Sequence, residues 1–225
     1  MAAALPAGPQ IAASSCRGTP VTPSGNAFFS FERTGEGAVI AQNSCNVEGA
    51  CILMGDGVRI AHDSCKGSLA CTDTGTLNGV AISAVSIIGD RSCNGEQACT
   101  SAGSQGLSVI GDDSCNGGDA ACLRARESTG TSYIGNNACN NTNIGANHNT
   151  CLFVGAEDLG HSVIGNGSCN GSSACIFEGE FGGNSQIGNN SCNNLGACFD
   201  VAHGPFPRSR RLSKPACAGA GAVDS

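Results

Sequence analysis

Four aspartates stand at similar places in the chain, one or two residues after an Ile-Gly or Ile-Ala pair: Asp63, Asp90, Asp112 and Asp113. If the segments that carry them stack, the carboxylates form an acidic patch that includes Arg91. Carboxylate oxygens are the ligands that calcium prefers, and paired carboxylates also perform acid–base chemistry on polysaccharides. These residues are therefore candidates for a calcium site or a sugar-cleaving site.

The same aspartates also have a structural interpretation, which we favour. Asp and Asn suit tight turns because their short side chains bond to nearby backbone groups, and Asn136 and Asn166 follow the same Ile-Gly pair elsewhere. The sequence contains no Ser-His-Asp arrangement, phosphate-binding loop or dinucleotide-binding fingerprint. We expect no catalytic site and no cofactor, with calcium at the four aspartates as the alternative.

The 16 cysteines are the second chemical signal. Fourteen form pairs, most of them spaced C-x5-C: Cys45 and Cys51, Cys65 and Cys71, Cys93 and Cys99, Cys115 and Cys122, Cys139 and Cys151, Cys169 and Cys175, Cys192 and Cys198. Structural zinc sites instead use C-x2-4-C pairs, often with His, and this chain has only 4 His. The cysteines therefore predict disulfides and an oxidising compartment.

Two disulfide connectivities fit the spacing. Bonding within each pair uses all fourteen cysteines and tolerates the longer spacings of Cys115 to Cys122 and Cys139 to Cys151. Bonding between stacked pairs also satisfies the distance that a disulfide requires, but it leaves one of seven first cysteines unpaired. We favour bonding within pairs. Cys16 and Cys217 lie outside the pairs, and we expect them to be free or to link chains.

A repeat surrounds each cysteine pair and predicts the fold. Seven repeats, numbered 1 to 7, open at Ile40, Ile60, Ile88, Ile110, Ile134, Ile164 and Ile187. A Ser two residues before the Ile, as in Ser108, gives a period of two, which indicates a strand with Ser and Ile facing inward. We predict an all-β fold, a right-handed parallel β-solenoid of about seven disulfide-ribbed coils, because parallel crossovers are nearly always right-handed.

The repeats divide the chain into three predicted parts. Residues 1–35 form an N-terminal segment and hydrophobic cap containing Phe28, Phe29 and Phe31; residues 36–204 form the solenoid; residues 205–225 form a basic, flexible tail. A short second strand should follow each second cysteine, and the insertions 76–84 and 140–150 should be surface loops. Residues 1–204 hold 7 basic and 17 acidic residues, which disfavours nucleic acid. No apolar run is long enough to span a membrane.

The compartment is predicted from the cysteines. Residues 1–13 make a poor secretory signal, because they lack a basic start and are interrupted by Pro and Gly. We nevertheless expect a secreted or cell-surface protein. Four Asn-x-Ser/Thr sequons are candidate glycosylation sites on a eukaryotic secretory route: Asn140, Asn166, Asn170 and Asn189.

The run Ile-Gly-x-x-Ser-Cys-Asn-Gly-x-x-Ala-Cys resembles cysteine-rich tandem-repeat proteins predicted from the genomes of microalgae and related protists. The resemblance covers about residues 36–204, and it implies no activity and no catalytic residues. Repeats 1 and 2 depart from the motif, with Ala41 and Ala61 in place of Gly and Lys66 in place of Asn.

These observations predict an extracellular or cell-surface structural or binding scaffold without catalytic activity. Its expected partners are a polysaccharide or a matrix or cell-surface protein, with disulfide-linked or end-to-end association through Cys16 or Cys217 as a further prediction. The alternatives are a carbohydrate-binding or polysaccharide-acting β-helix protein and, less favoured, an ice-binding protein. The outward residues include Arg59 and Tyr133, whereas an ice-binding face would carry a uniform row of Thr.

Overall fold

The computed structural model describes a set of ranges distributed along the 225-residue chain. They are residues 10–12, 14–15, 37–47, 49–52, 54–72, 74, 76–77, 80–81, 86–102, 106–117, 120–122, 131–140, 150–152, 161–176, 185–199 and 210–212. Within these ranges the chain forms strands and turns and no helix, which confirms the all-β class.

The strands are short and follow the repeats. They are β1 (Gln10–Ile11), β2 (Val39–Ile40), β3 (Arg59–Ile60), β4 (Thr76–Leu77), β5 (Val80–Ala81), β6 (Ser86–Ile88), β7 (Leu107–Ile110), β8 (Thr131–Ile134), β9 (Cys151–Leu152), β10 (His161–Ile164), β11 (Cys175–Ile176), β12 (Ser185–Ile187), β13 (Cys198–Phe199) and β14 (Arg210–Leu212). A nine-stranded parallel sheet has the order β1-β2-β3-β6-β7-β8-β10-β12-β14, and a three-stranded parallel sheet has the order β13-β11-β9. From β2 to β12, neighbours in the large sheet come from consecutive repeats, which is consistent with a β-solenoid.

The register of the large sheet places equivalent residues directly above one another. Ser86 pairs with Ser108, and Ile88 pairs with Ile110. These Ser and Ile side chains are buried, whereas the residue between them, such as Ile87, is 38% exposed. The predicted inward and outward faces of the strand are therefore confirmed.

The interior is narrow and is filled by small or branched side chains. In the part of the chain that the structure describes, the largest fully buried side chains are Ile40, Ile60, Ile88, Ile110, Ile134, Ile164 and Ile187, with Met54 and Val58. Buried cysteines and alanines complete the cluster. Burying one Ile stabilises the fold by about 1.5–3 kcal/mol, so the column of seven contributes much of the hydrophobic driving force.

The predicted second strand is described in part. It begins on the second cysteine and occurs as β9, β11 and β13 in repeats 5, 6 and 7, and the residues that follow these strands lie outside the described residues. In repeat 2 the same segment forms a turn, in which Thr74 Oγ1 donates a hydrogen bond to the Cys71 carbonyl at 3.0 Å. This local bond competes with strand pairing.

The insertion 76–84 contains a hairpin where a surface loop is predicted. Strands β4 and β5 pair antiparallel, with Thr76 opposite Ala81 and Leu77 opposite Val80. The sequence between the two strands is Asn78-Gly79, a dipeptide strongly associated with two-residue hairpins. Residues 141–149 of the other insertion lie outside the described residues.

The large sheet extends beyond segment 36–204 at both ends. Strand β1, from the predicted N-terminal segment, pairs with β2, and β14, from the segment predicted as a flexible tail, pairs with β12. An edge strand leaves unpaired N–H and C=O groups, which an extended segment can satisfy. The predicted cap residues Phe28, Phe29 and Phe31 lie outside the described residues.

Candidate functional site

Seven disulfides join the first and second cysteine of each repeat. They are Cys45 – Cys51, Cys65 – Cys71, Cys93 – Cys99, Cys115 – Cys122, Cys139 – Cys151, Cys169 – Cys175 and Cys192 – Cys198, with Cα–Cα distances of 5.6–5.8 Å. Each first cysteine has a positive φ of 54–58°, so the chain reverses there and the short cysteine loop closes. Cys51 is half-buried, and the other thirteen bonded cysteines are buried. Cys16 and Cys217 lie outside the described residues.

Sulfur atoms of neighbouring repeats lie close together. The described residues contain four groups of three cysteines whose Sγ atoms are all within 4.8 Å of one another: Cys51, Cys65 and Cys71; Cys93, Cys99 and Cys115; Cys151, Cys169 and Cys175; Cys175, Cys192 and Cys198. Every member is disulfide-bonded. Because metal ligation needs the thiolate, these groups cannot ligate zinc while the disulfides are intact.

The turn after each Ile carries a polar residue, and we name this series the first-turn column: Gln42, His62, Asp90, Asp112, Asn136, Asn166 and Asn189. The Asp and Asn members form a ladder of hydrogen bonds. Asp112 Oδ1 accepts a hydrogen bond of 2.9 Å from the backbone N–H of Asp90, and Asn136 Oδ1 accepts one of 3.0 Å from the N–H of Asp112. The same bond continues up the stack to Asn189. Asp and Asn therefore have the same structural role in this column.

A second ladder, the Asn column, follows the first cysteines: Asn46, Lys66, Asn94, Asn116, Asn140, Asn170 and Asn193. Asn140 Oδ1 accepts from the backbone N–H of Asn116 at 2.9 Å, and its Nδ2 donates to the Asp113 carbonyl at 2.6 Å. Asn170 makes the two equivalent bonds with repeat 5: its Oδ1 accepts from the Asn140 N–H, and its Nδ2 donates to the Asn137 carbonyl. Each such Asn therefore ties two neighbouring turns together.

Inside the turns lies a third ladder, the Ser column: Ser44, Ser64, Ser92, Ser114, Ala138, Ser168 and Ser191. Ser114 Oγ donates to the Gly135 carbonyl at 2.7 Å and accepts from the Ala138 N–H at 3.1 Å. The serines of this column are buried. Their hydroxyls satisfy backbone groups that an apolar side chain would leave unpaired.

Each aspartate of the predicted acidic patch has a partner within the protein. Asp63 Oδ1 lies 2.6 Å from Lys66 Nζ, and this hydrogen bond lowers the pKa of Asp63. Arg91 binds both carboxylate oxygens of Asp113, and this lowers the pKa of Asp113 and raises that of Arg91. Asp90 Oδ1 accepts from the His62 N–H at 2.9 Å.

The aspartates do not converge on one point. Among the described residues, no group of three carboxylate or imidazole ligand atoms lies within 4.8 Å of one another. Calcium usually takes 6–8 oxygen ligands. The four aspartates are spread along the turns of repeats 2 to 4, and the structure explains their presence as turn residues and ion-pair partners.

The four sequons differ in accessibility. Asn166 and Asn189 are exposed, whereas Asn140 and Asn170 are half-buried, and the Nδ2 atoms of the latter two donate hydrogen bonds to neighbouring turns. Nδ2 is the atom that a glycan would modify. The structure therefore favours Asn166 and Asn189 as the accessible candidates of the four.

The outward surface of the large sheet, which we name the sheet face, carries a different pattern. Its central column is Arg59, Ile87, Val109, Tyr133, Val163 and Gln186, and a second column holds Leu107, Thr131 and His161. Leu107 is 40% exposed and Tyr133 is 45% exposed. The described residues of this face include no Asp or Glu.

Thr131 and His161 were not predicted as site residues. They are paired in register on β8 and β10, and Thr131 Oγ1 lies 2.5 Å from His161 Nδ1. The period-two pattern extends to them, because each stands two residues before an outward residue of the central column, and this is the signal that could have found them. They place hydrogen-bonding groups beside Tyr133 on the same face.

A family profile described as Domain of unknown function (DUF7640) matches residues 35–156, and the chain belongs to this family. Its many regularly spaced cysteines fit a cysteine-rich repeat protein. Comparison with curated proteins finds no match, and neither does comparison with solved structures.

The disulfides indicate an oxidising, extracellular environment. In the described part of the chain, no helix has the length and apolar character needed to cross a membrane.

Proposed function

We propose that this protein is an extracellular or cell-surface structural and binding scaffold without catalytic activity. The sheet face carries the proposal: Ile87, Val109, Tyr133 and Val163 leave a partly exposed apolar stripe on consecutive strands. Contiguous apolar surface on a soluble protein is typical of an interaction site.

The scaffold is a right-handed solenoid of seven coils in this proposal. Seven strands, β2, β3, β6, β7, β8, β10 and β12, contain the seven repeat Ile residues, and β1 and β14 flank them. Right-handedness follows from the strong preference of parallel crossovers. Three hydrogen-bonded ladders and a disulfide in each repeat support a rigid platform, on which a binding surface loses little conformational entropy.

The favoured ligand class is an extracellular carbohydrate. Tyr133 offers an exposed ring that can stack on the C–H face of a sugar, while Thr131 and His161 offer hydrogen-bonding groups to its hydroxyls. A cell-surface protein is the other partner class. The disulfides support secretion or surface display, because disulfides persist in oxidising compartments.

Sedimentation with insoluble cellulose, chitin and cell-wall fragments tests the binding surface. We expect the disulfide-intact protein to sediment with at least one of them and Tyr133→Ala to reduce the bound fraction severalfold. Leu195→Ala is the matched control, because Leu195 is 77% exposed and lies off the sheet face. If both variants and the wild type bind equally, the sheet face is not the binding surface.

The absence of catalysis needs its own measurement. We expect no release of reducing ends from soluble polysaccharides. Reproducible turnover that Asp112→Ala abolishes would contradict the scaffold and favour a polysaccharide-acting enzyme. Detection of a tagged full-length chain in the medium or on the cell surface tests the location.

A further inference from the structure

Sulfur atoms of neighbouring disulfides lie close together, so that a thiolate freed from one disulfide would stand beside the next. The Sγ atoms of Cys51, Cys65 and Cys71 lie within 4.8 Å of one another, although Cys51 belongs to repeat 1 and the Cys65 – Cys71 disulfide to repeat 2. Repeats 5 and 6 show the same relation, in which Cys151 lies beside Cys169 – Cys175.

The two sulfurs of the Cys45 – Cys51 disulfide differ in their distance from the disulfide of the next repeat. Cys45 is bonded to Cys51, yet only Cys51 lies within 4.8 Å of both sulfurs of the Cys65 – Cys71 bond. Thiol–disulfide exchange requires a thiolate to contact the sulfur that it attacks. Freeing Cys51 and freeing Cys45 should therefore have different chemical consequences, although both break the same bond.

We propose that Cys51 is the site at which small external thiols enter the disulfide stack, and that its thiolate then exchanges with the Cys65 – Cys71 disulfide of the next repeat. Cys51 is the only bonded cysteine of the fourteen that is not buried. This inference goes beyond the scaffold function and does not depend on the sheet face.

The reaction balances in two stages. First, two molecules of an external thiol reduce Cys45 – Cys51; they are oxidised to their own disulfide and leave two protein thiols. Second, the Cys51 thiol gives its proton to solvent and its thiolate attacks Cys65 or Cys71. A bond between the two repeats forms, the Cys65 – Cys71 bond breaks, and the leaving sulfur takes the electron pair and then a proton. The second stage needs no oxidant.

Two single substitutions test the second stage directly. Cys45→Ser leaves Cys51 as the free sulfur, and Cys51→Ser leaves Cys45, so both variants lose the same disulfide and serve as matched controls. Each variant is held at mildly alkaline pH, where more thiol is thiolate, and is then alkylated in acid and mapped by mass spectrometry of peptides. We expect peptides joining Cys51 to Cys65 or Cys71 in Cys45→Ser, severalfold above any cross-repeat peptide in Cys51→Ser. Alkylation confined to Cys51 in Cys45→Ser, with no cross-repeat peptide, would overturn the proposal.

Limited reduction of the wild-type protein tests both stages without a substitution. With substoichiometric dithiothreitol, we expect Cys45 to be alkylated together with Cys65 or Cys71. Alkylation of only Cys45 and Cys51 would contradict the exchange, and earlier alkylation of a buried pair would contradict Cys51 as the first site. If Cys45→Ser does not fold, this measurement alone decides the proposal.

Discussion

Arg91 donates two hydrogen bonds of 2.6 Å to Asp113, from Nε to Oδ1 and from Nη2 to Oδ2, across neighbouring repeats. Arg91 occupies a turn position with a φ of +55°. At the same position of other turns, φ is +53° at Asn137 and +64° at Gly167. Asn and Gly tolerate this left-handed conformation better than Arg does. The ion pair therefore joins two turns at a position where the residue type itself is unfavourable.

The Arg91–Asp113 pair should make stability depend on acidic pH. The hydrogen bond from Arg91 lowers the pKa of Asp113 below its ordinary value of 3.8. Its contribution is therefore fully present above pH 3.8 and is lost as the pH falls through the lower pKa of the folded state. Because the Arg91 side chain is 57% exposed and the Asp113 side chain 35% exposed, solvent screens the pair, and we expect Asp113→Asn to lower the Tm by about 2 °C or less at pH 7.

Thermal unfolding of the wild type and Asp113→Asn between pH 7 and pH 2 checks this dependence. The Tm difference should shrink toward zero at the acidic end. Glu96→Gln is the control, because Glu96 is exposed and makes no ion pair with the described Lys or Arg residues. A Tm difference for Asp113→Asn that stays constant down to pH 2 would refute the interpretation.

Gly111 should not tolerate a side chain. A Cβ atom there would lie 2.8 Å from the backbone N of Asn136 and 2.8 Å from the carbonyl carbon of Gly135. Both neighbours are backbone atoms of the next repeat and cannot move aside without breaking the ladder. We expect Gly111→Ala to lower the free energy of unfolding by about 3 kcal/mol, as measured by urea unfolding with the disulfides intact.

Gly196→Ala separates this steric effect from backbone strain. Gly196 has a φ of +59° and no atom within 4 Å of an added Cβ, so Ala should cost about 1 kcal/mol there. A loss at Gly196 that equals or exceeds the loss at Gly111 would show that packing between repeats is looser than the structure indicates.

Ser114 should stabilise the stack through its hydroxyl. Ser114→Ala removes the acceptor of the Ala138 N–H and the donor to the Gly135 carbonyl, and both groups lie inside the turn. Leaving a buried polar group unpaired costs about 1–3 kcal/mol. We expect a loss of that size in urea unfolding, while Ser68→Ala at an exposed position should change stability by about 0.5 kcal/mol at most. Equal losses would contradict a specific role for the Ser column.

The sequence predicts the parts of this fold that depend on repetition. Ile88 and Ile110 recur with Ser two residues before them, and this pattern was enough to predict a parallel stack with inward Ile. The ladders were harder to predict, because the residue that accepts a hydrogen bond from Asp90 lies 22 residues away. Periodicity shows that a polar residue recurs at the turn position of Asp112. It does not show which backbone group the Asp112 carboxylate contacts.

The candidate site on the sheet face was also hard to predict from the sequence, because its contacts depend on pairing between distant residues. Tyr133 was recognised as outward, but its neighbours depend on the register between β8 and β10. That register brings His161 beside Thr131, although thirty residues separate them. The repeat pattern carries no signal for the hairpin of β4 and β5, because the Asn78-Gly79 dipeptide occurs within one insertion.

Calcium should not stabilise the protein through the four aspartates. Asp112 Oδ1 accepts the Asp90 N–H, and Asn136 makes the equivalent bond without a charge, so the column requires an oxygen acceptor and not a carboxylate. We therefore expect Asp112→Asn to leave stability nearly unchanged and Asp112→Ala to lower it by about 1 kcal/mol. The Tm should agree within about 1 °C in millimolar calcium and in chelator, whereas a bound ion would raise it as its concentration increases. A calcium-dependent rise that Asp112→Asn abolishes would restore the metal site and assign Asp112 as one of its ligands.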